Sequence, residues 1–202
     1  MAGLEVKLVN ESGRTIGFGD RWATHRVKRG PDGLILGHKH VGITIVCVDR
    51  AGKVLVALRR HRVFDKVWSL SGDTHPYRVR GEKTVESLVQ AAKRCAMDDL
   101  GVKITGWSDT LSLSYAAQDP RNPRYCENEL LHTMVTKYEG PFRMNPKNAY
   151  AVRWTGLTEI SNDSKEDLTK EPADRKYAPW VHAIFAEPAA TIGNAFLGHV
   201  RG

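Results

Sequence analysis

Three histidines and two glutamates, spread from position 25 to position 129, occur in short contexts that are typical of metal ligands. They are His25, His40, His75, Glu127 and Glu129. Imidazole nitrogens and carboxylate oxygens together suit a divalent ion of borderline hardness, such as zinc, manganese or magnesium. Each residue alone is more often a surface residue or a satisfied core residue. If all five act together, the chain must fold so that distant segments converge on one point.

Several segments have the composition of β-strands. Residues 5–9 and 15–18 flank a turn and predict a first hairpin, and the Val- and Ile-rich residues 43–48 and 54–58 predict a second. Further strands are expected at residues 102–105 and 129–136. Because side chains alternate along a strand, Glu127, Glu129 and Leu131 should share one face. Two carboxylates could therefore point at the same ion.

The clearest helix is predicted at residues 84–100, where apolar side chains recur every three or four positions. Thr84 can cap its start, and Gly101 can end it in a left-handed conformation. Residues 161–175 are expected to form a surface helix or loop, and residues 180–197 a final amphipathic segment. The sequence has no internal repeat or convincing linker, so residues 1–202 are expected to form a single domain.

Composition narrows the classes of function. The chain has 30 basic and 23 acidic residues, a formal charge of +7 that attracts anions. The basic residues are dispersed and form no nucleic-acid motif, and clusters such as Arg59, Arg60 and Arg62 suit a diphosphate better than a polymer. No apolar run is long enough to span a membrane, and no secretory signal begins the sequence. Three unpaired cysteines favour a reducing cytoplasm.

The predicted helix carries a degraded form of the Nudix signature, in which a glutamate precedes an arginine, a carboxylate pair and a glycine. The matching residues are Glu86, Arg94, Asp98, Asp99 and Gly101. Arg80 and Cys95 stand where the signature has Gly and Glu, and aspartates replace its glutamate pair. Hydrolysis of a diphosphate through helix-bound magnesium is therefore one alternative. The other is a charged, solvent-facing side of an amphipathic helix.

From Val6 to Trp180 the chain resembles type I isopentenyl diphosphate isomerase, a branch of the Nudix superfamily whose metal site lies outside the helix signature. The resemblance is carried by the opening segment around Arg21-Trp-Ala-Thr-His25, by His40 and His75-Pro76, and by Glu127-Asn-Glu129. It implies an α/β (α+β) fold with a mixed sheet sandwiched by helices. An N-terminal hairpin extension and a C-terminal helical cap complete the expected domain.

The resemblance also implies roles for individual residues. The expected metal ligands are His25, His40, His75, Glu127 and Glu129, with Asp99 holding a second magnesium through the diphosphate. The expected catalytic residues are Asp73, Glu129, Tyr115 and Trp180, and the expected substrate-binding residues are Arg21, Arg59, Arg62 and Arg94. Tyr115 assists proton delivery, and the π face of Trp180 shelters a carbocation. Tyr115 and Trp180 could otherwise be core aromatics, and Asp99 a surface residue.

One position departs from the family pattern. The family has a catalytic cysteine two residues before the third histidine, where this chain has Asp73. The leading expectation is acid–base isomerisation of isopentenyl to dimethylallyl diphosphate, in which Glu129 gives a proton and Asp73 takes one. The alternative is a terpenoid cyclase in which Asp73 protonates a longer prenyl diphosphate. A Nudix diphosphate hydrolase and a non-catalytic prenyl diphosphate binder are further alternatives. Oligomeric state and substrate length stay open.

Overall fold

The computed structural model describes residues 3–30 and 33–198. Its strands are β1 (Leu4–Val9), β2 (Thr15–Asp20), β3 (Val27–Gly30), β4 (Gly33–Leu36), β5 (His40–Val48), β6 (Lys53–Arg59), β7 (Trp68–Ser69), β8 (Gly72–Thr74), β9 (Tyr77–Val79), β10 (Ser108–Gln118), β11 (Cys126–Lys137) and β12 (Ala149–Gly156). Its α-helices are α1 (Arg21–Thr24), α2 (Leu88–Leu100), α3 (Leu157–Asp167), α4 (Pro179–Phe185) and α5 (Ala189–Leu197). A 3₁₀ turn spans Pro172–Asp174. None of the described helices combines the length and apolarity needed to cross a bilayer.

Strand β5 organises a mixed sheet of ten strands. It pairs in parallel with β11 and antiparallel with β1, β6 and β8. The sheet continues from β11 to β10 on one side and from β1 to β2 on the other, while β12 and β7 pair with β6. Strands β3 and β4 form a separate hairpin. Because β5 is buried along its whole length, its sequence is almost continuously apolar.

The two faces of the sheet are covered by different helices. Val46 and Val48 of β5 pack in an apolar cluster with residues of α3, α4 and α5. Ile45 and Cys47 alternate with them and pack against α2 in a second cluster. This alternation follows from the two-residue period of a strand. The expected mixed sheet sandwiched by helices is confirmed.

The predicted hairpins have different outcomes. Strands β1 and β2 pair over residues 5–20, so the N-terminal hairpin is confirmed. The strands predicted at residues 43–48 and 54–58 also exist, but β5 and β6 are paired only at Val48 and Val54. Beyond that point each strand exchanges its hydrogen bonds with other partners, β5 with β8 and β11, and β6 with β7 and β12. Their separation leaves room for a cavity.

The predicted helix is shorter than expected. It begins at Leu88 because Ser87 caps it, with the reciprocal Ser87–Gln90 bonds of a capping box. The prediction of Thr84 as the cap is therefore wrong, whereas Gly101 ends the helix at φ 65° as expected. The strand predicted at residues 102–105 is absent: this described segment is irregular, and Val102 and Ile104 are buried against α2. The alternating apolar residues of this segment predicted a strand, but a loop can also bury apolar side chains.

Candidate metal centre and the adjoining cavity

The five predicted ligands arrive at one place on four separate segments. His25 closes the short helix α1, and its carbonyl oxygen accepts a hydrogen bond from the Cys126 N–H at the start of β11. His40 begins β5, directly opposite Glu129 in the parallel β5–β11 pair. His75 follows β8, which also pairs with β5. Strand pairing therefore assembles the group.

The ligand atoms of the five buried side chains all lie within 4.8 Å of one another. His25 Nε2 lies 3.0 Å from Glu127 Oε2, and His75 Nε2 lies 3.0 Å from Glu129 Oε1. His40 Nε2 is 3.2 Å from His75 Nε2 and 3.5 Å from Glu129 Oε1. Three imidazoles and two carboxylates thus enclose a common centre.

The backbone orients two of these imidazoles for ligation. His25 Nδ1 lies 2.5 Å from the Arg21 carbonyl oxygen, and His40 Nδ1 lies 2.8 Å from the His38 carbonyl oxygen. Carbonyl oxygens accept only, so these Nδ1 atoms carry the protons and their Nε2 lone pairs face the centre. Such an outer hydrogen bond is the usual companion of a metal-bound histidine. The donor set therefore fits a divalent ion.

Two further features agree with that fit. Glu127 Oε2 is buried, and although His25 Nε2 lies 3.0 Å away, no donor among the described residues meets hydrogen-bond geometry with it. Gly42, two residues after His40, packs against the Glu129 carboxyl group so closely that a Cβ there would overlap it. A glycine within a strand often marks such a close approach. A cation at the centre would compensate the buried charge of the two glutamates.

The charges of the cluster perturb its titration. Burial alone would lower the pKa of His25, but the nearby Glu127 carboxylate outweighs it and raises that pKa. Burial dominates at His75 and lowers its pKa well below the usual value. Burial opposes ionisation of Glu129, yet the neighbouring His40 and His75 side chains prevail and lower its pKa. Neutral imidazole and ionised carboxylate are the forms that ligate metals.

Glu129 also belongs to an aromatic wall. Tyr115, its cross-strand neighbour on β10, donates from its hydroxyl to Glu129 Oε2 at 2.7 Å. The Tyr115 ring is 6.1 Å from the ring of Trp180, which α4 contributes. Burial raises the pKa of Tyr115 well above its ordinary value, so its hydroxyl keeps its proton. Tyr115, Trp180 and Glu129 line one cavity of about 890 Å³.

Asp73 lines the same cavity, and one of its two carboxyl oxygens accepts hydrogen bonds from the protein. Its Oδ2 accepts hydrogen bonds from Arg59 Nη1 at 2.6 Å and from the Ser69 hydroxyl at 2.7 Å. Ser69 in turn accepts from Trp180 Nε1 at 2.9 Å. Burial raises the pKa of Asp73, and the positive charge of Arg59 opposes that increase. Asp73 therefore places a partly buried carboxyl group inside a hydrogen-bonded chain.

The remaining predicted residues also line the cavity, which includes Arg21, Arg59, Arg62, Arg94 and Asp99. Arg94 bonds Glu86 and the carbonyl oxygen of His75, and so fixes the third histidine against α2. Asp99 does not join the five-residue cluster. Its Oδ1 accepts from Asn148 at 2.7 Å, and burial raises its pKa.

Sequence reasoning did not select Trp22, Gly42, His61 and Ser69, which are parts of the site. Gly42 carried a usable signal, since a glycine inside a Val- and Ile-rich strand indicates close packing. Trp22 lies in the segment that leads to His25, but sequence spacing does not show which side chains it contacts. Ser69 and His61 have no local pattern, because only the fold brings them to Asp73 and Arg59.

Comparison with known proteins gives limited sequence similarity and clear structural similarity. No family model matches the chain. Over 164 residues it is 24% identical to an isopentenyl-diphosphate Delta-isomerase of Streptomyces avermitilis, covering 80% of this chain and 76% of that protein. A Deinococcus radiodurans crystal structure superposes with a TM-score of 0.61 at 14% identity, covering 90% of this chain and 97% of that one.

A MutT protein from Methanosarcina mazei superposes with a TM-score of 0.50 at 12% identity, covering 73% of this chain and 91% of that one. At such low identity the two structures establish the fold alone. The mixed sheet between α2 and the C-terminal helices is the Nudix fold.

Proposed function

We propose that this chain, built on the Nudix fold, rearranges a carbon–carbon double bond of a prenyl diphosphate by acid–base chemistry. The specific reaction we favour is isomerisation of isopentenyl diphosphate to dimethylallyl diphosphate. The observation that carries the proposal is the placement of Glu129, which joins the metal-ligand cluster and accepts from Tyr115 beside Trp180. The similarity to the Streptomyces avermitilis isomerase supports the same reaction.

Different residues of the cavity have different roles in the proposed reaction. The protonated form of Glu129, hydrogen-bonded to Tyr115, delivers its proton to the terminal alkene carbon, is left as the carboxylate, and takes up a proton from solvent before the next cycle. The π faces of Trp180 and Tyr115 stabilise the tertiary cation that forms. Asp73 then removes a proton from the neighbouring carbon, which leaves the double bond in its allylic position.

His25, His40, His75, Glu127 and Glu129 would hold one divalent ion, magnesium, manganese or zinc. When bound, that ion supplies positive charge that fixes and polarises the carboxyl group of Glu129. Asp99 lies in the same cavity, where it can assist a second magnesium that accompanies the diphosphate. The chain's own part is to keep the imidazole lone pairs aimed inward through backbone carbonyl contacts.

Cyclisation of a longer prenyl diphosphate is the second candidate, with Asp73 as the acid. The cavity volume of about 890 Å³ favours it. Ligand pockets typically enclose about 300–1,000 Å³, so this one lies near the upper end and exceeds the need of a five-carbon chain. An internal double bond of the longer substrate would then capture the cation.

Incubation with isopentenyl diphosphate in deuterated water tests the first candidate. Deuterium in dimethylallyl diphosphate supports isomerisation, and Glu129→Gln should remove the label while sparing substrate binding. Label that enters only the product of a longer prenyl diphosphate supports the cyclase. Release of phosphate would instead point to a Nudix hydrolase. Binding of each diphosphate with no product would identify a non-catalytic binder.

A further inference from the structure

The arginines expected at the substrate differ in how far the protein already uses their hydrogen-bond donors. Arg59, whose side chain is 11% exposed, donates from Nη1 to Asp73 at 2.6 Å. Its Nε and Nη2 donate to the carbonyl oxygens of Phe64 and Val63 at 3.4 and 3.3 Å. A guanidinium has five N–H donors in a fixed fork. Each nitrogen of Arg59 is therefore already committed to the protein.

Arg94 is committed in the same way. Its Nε and Nη2 donate to Glu86 at 2.8 and 2.9 Å, and its Nη1 donates to the Thr74 hydroxyl at 3.1 Å. Nη2 also donates to the carbonyl oxygen of His75 at 2.8 Å. A substrate anion that recruited Arg94 would have to break these bonds. Arg94 therefore holds the backbone around His75 in place.

Arg21 and Arg62 differ from this pair. Within residues 3–30 and 33–198, neither makes an ion pair with a carboxylate. Their guanidinium carbons lie 4.8 and 4.5 Å from the ring centroid of Trp22, which places two positive charges on one indole. Both side chains and Trp22 line the cavity. Two guanidinium forks without an acidic partner provide charge-assisted donors for a phosphate-bearing ligand.

His61 connects the pair of Arg21 and Arg62 to the residues that hold the cavity in shape. Its ring stacks on Trp22 with a centroid distance of 6.0 Å and an interplanar angle of 25°. Its Nε2 lies 3.2 Å from Arg21 Nη2, and its Nδ1 lies 3.2 Å from the Val63 carbonyl oxygen. Burial, with the charges of Arg59 and Arg21, lowers the pKa of His61 to about 3. The ring is therefore neutral, and guanidinium groups approach both of its nitrogens, Arg21 at Nε2 and Arg59 Nη2 at 3.1 Å from Nδ1.

We propose that Trp22 and His61 are positioning residues that hold Arg21 and Arg62 as the diphosphate-binding pair, while Arg59 and Arg94 maintain the frame of the cavity. The inference rests on the proposed function for the identity of the ligand. The division between the two pairs of arginines rests on their hydrogen bonds alone. Trp22 supplies a rigid π surface that holds both guanidinium groups, and His61 fixes the direction of Arg21 without adding charge.

Calorimetric titration of the full-length chain with inorganic pyrophosphate tests this assignment apart from turnover. Arg62 is exposed, so Arg62→Ala should fold normally and weaken pyrophosphate binding about tenfold or more. Trp22→Leu should weaken it about threefold to tenfold, and Trp22→Phe should restore most of the affinity because it keeps a π face. Arg153→Gln is the matched control, since Arg153 lies 4.7 Å over Trp68 and does not line the cavity.

Steady-state kinetics with isopentenyl diphosphate give a second readout. A positioning role predicts that Trp22→Leu and His61→Leu raise KM with kcat nearly unchanged. Wild-type pyrophosphate affinity in both Arg62→Ala and Trp22→Leu would overturn the inference, even if the chain proved to be an isomerase. Arg62-dependent pyrophosphate binding without conversion of any prenyl diphosphate would uphold the inference and refute the proposed function.

Discussion

Arg59 Nη1 lies 2.6 Å from Asp73 Oδ2, so this partly buried carboxyl group is paired with a partly buried cation. The Ser69 hydroxyl also donates to Oδ2, whereas Oδ1 makes no hydrogen bond to the described residues that meets the usual geometry. The two oxygens of Asp73 are therefore not equivalent. One is anchored by hydrogen bonds, and the other is buried without one.

Replacement of Asp73 is the most direct test of this arrangement. Asp73→Asn keeps the size of the side chain but cannot exchange a proton, so we expect turnover to fall about 100-fold or more. Measuring both the turnover rate and the pyrophosphate affinity of this variant distinguishes a loss of chemistry from a loss of binding. Asp73→Cys should instead increase isomerisation if the aspartate redirects an inherited site. Unchanged rates in both variants would remove Asp73 from the mechanism.

The hydroxyl of Tyr115 can be removed without emptying its position. Tyr115→Phe deletes the 2.7 Å hydrogen bond to Glu129 and retains the ring beside Trp180. We expect kcat to fall about tenfold or more with little change in KM. Tyr150→Phe is the control, because Tyr150 is exposed and bonds Asp65 outside the cavity. Equal rates for both variants would contradict a catalytic role of Tyr115.

Metal binding should stabilise the folded chain. A divalent ion at a hundredfold excess over its Kd adds about 2.7 kcal/mol to the free energy of unfolding. For a chain of this size, that corresponds to an increase in Tm of roughly 5–10 °C. Thermal melts with added zinc, manganese or magnesium would measure it, and His40→Gln should abolish the shift. His132→Gln should keep the shift, since His132 pairs with Asp109 away from the cluster.

Gly42 allows a test of the cluster that alters none of its ligands. A methyl group in Gly42→Ala would overlap the Glu129 carboxyl group and displace it from the cluster. We expect metal affinity to fall about 10- to 100-fold, as for changes in the residues that orient metal ligands. Gly193→Ala is the control, because a Cβ at Gly193 meets nothing within 4 Å. Competition with a fluorescent chelator would compare the two affinities.

His61 predicts a dependence of stability on pH. The pKa of His61 is about 3 in the folded chain, below the unfolded value of 6.5, so the unfolded state binds more protons between these values. The contribution of His61 is complete above pH 6.5 and is lost as pH falls toward 3. Denaturant titrations from pH 7 to pH 4 should show a smaller loss for His61→Gln than for the wild type. A steeper loss in the variant would contradict the neutral, buried ring.

Sequence patterns predicted those parts of the fold that depend on local chemistry. The N-terminal hairpin and the left-handed end of α2 at Gly101 follow from turn residues and apolar period. Strands β10 and β12 were missed, because most of their positions are exposed or only partly buried and neither has the continuous buried apolar run of β5. Their pairing with β11 and β6 is a tertiary effect that no window of sequence contains.

The candidate site likewise contains residues that the sequence could identify and contacts that it could not. The ligand residues could be selected because each has a recognisable context, and the structure brings them within reach of one ion. The contacts of Arg59 with Asp73 and of His61 with Trp22 join residues whose partners are set by the fold. Spacing could therefore identify candidate arginines near a diphosphate. It could not show which of these arginines already bond to carboxylates of the protein, as Arg59 and Arg94 do.

The parallel pairing of β5 with β11, which sets His40 opposite Glu129, has a consequence for how the chain assembles its candidate site. Residues 49–125 separate these strands in the sequence, and long-range pairing is a slow step in folding because a large loop must close first. A partly folded chain can hold its hairpins and α2 and still lack the site. Recovery of function during refolding should therefore lag behind recovery of helical signal.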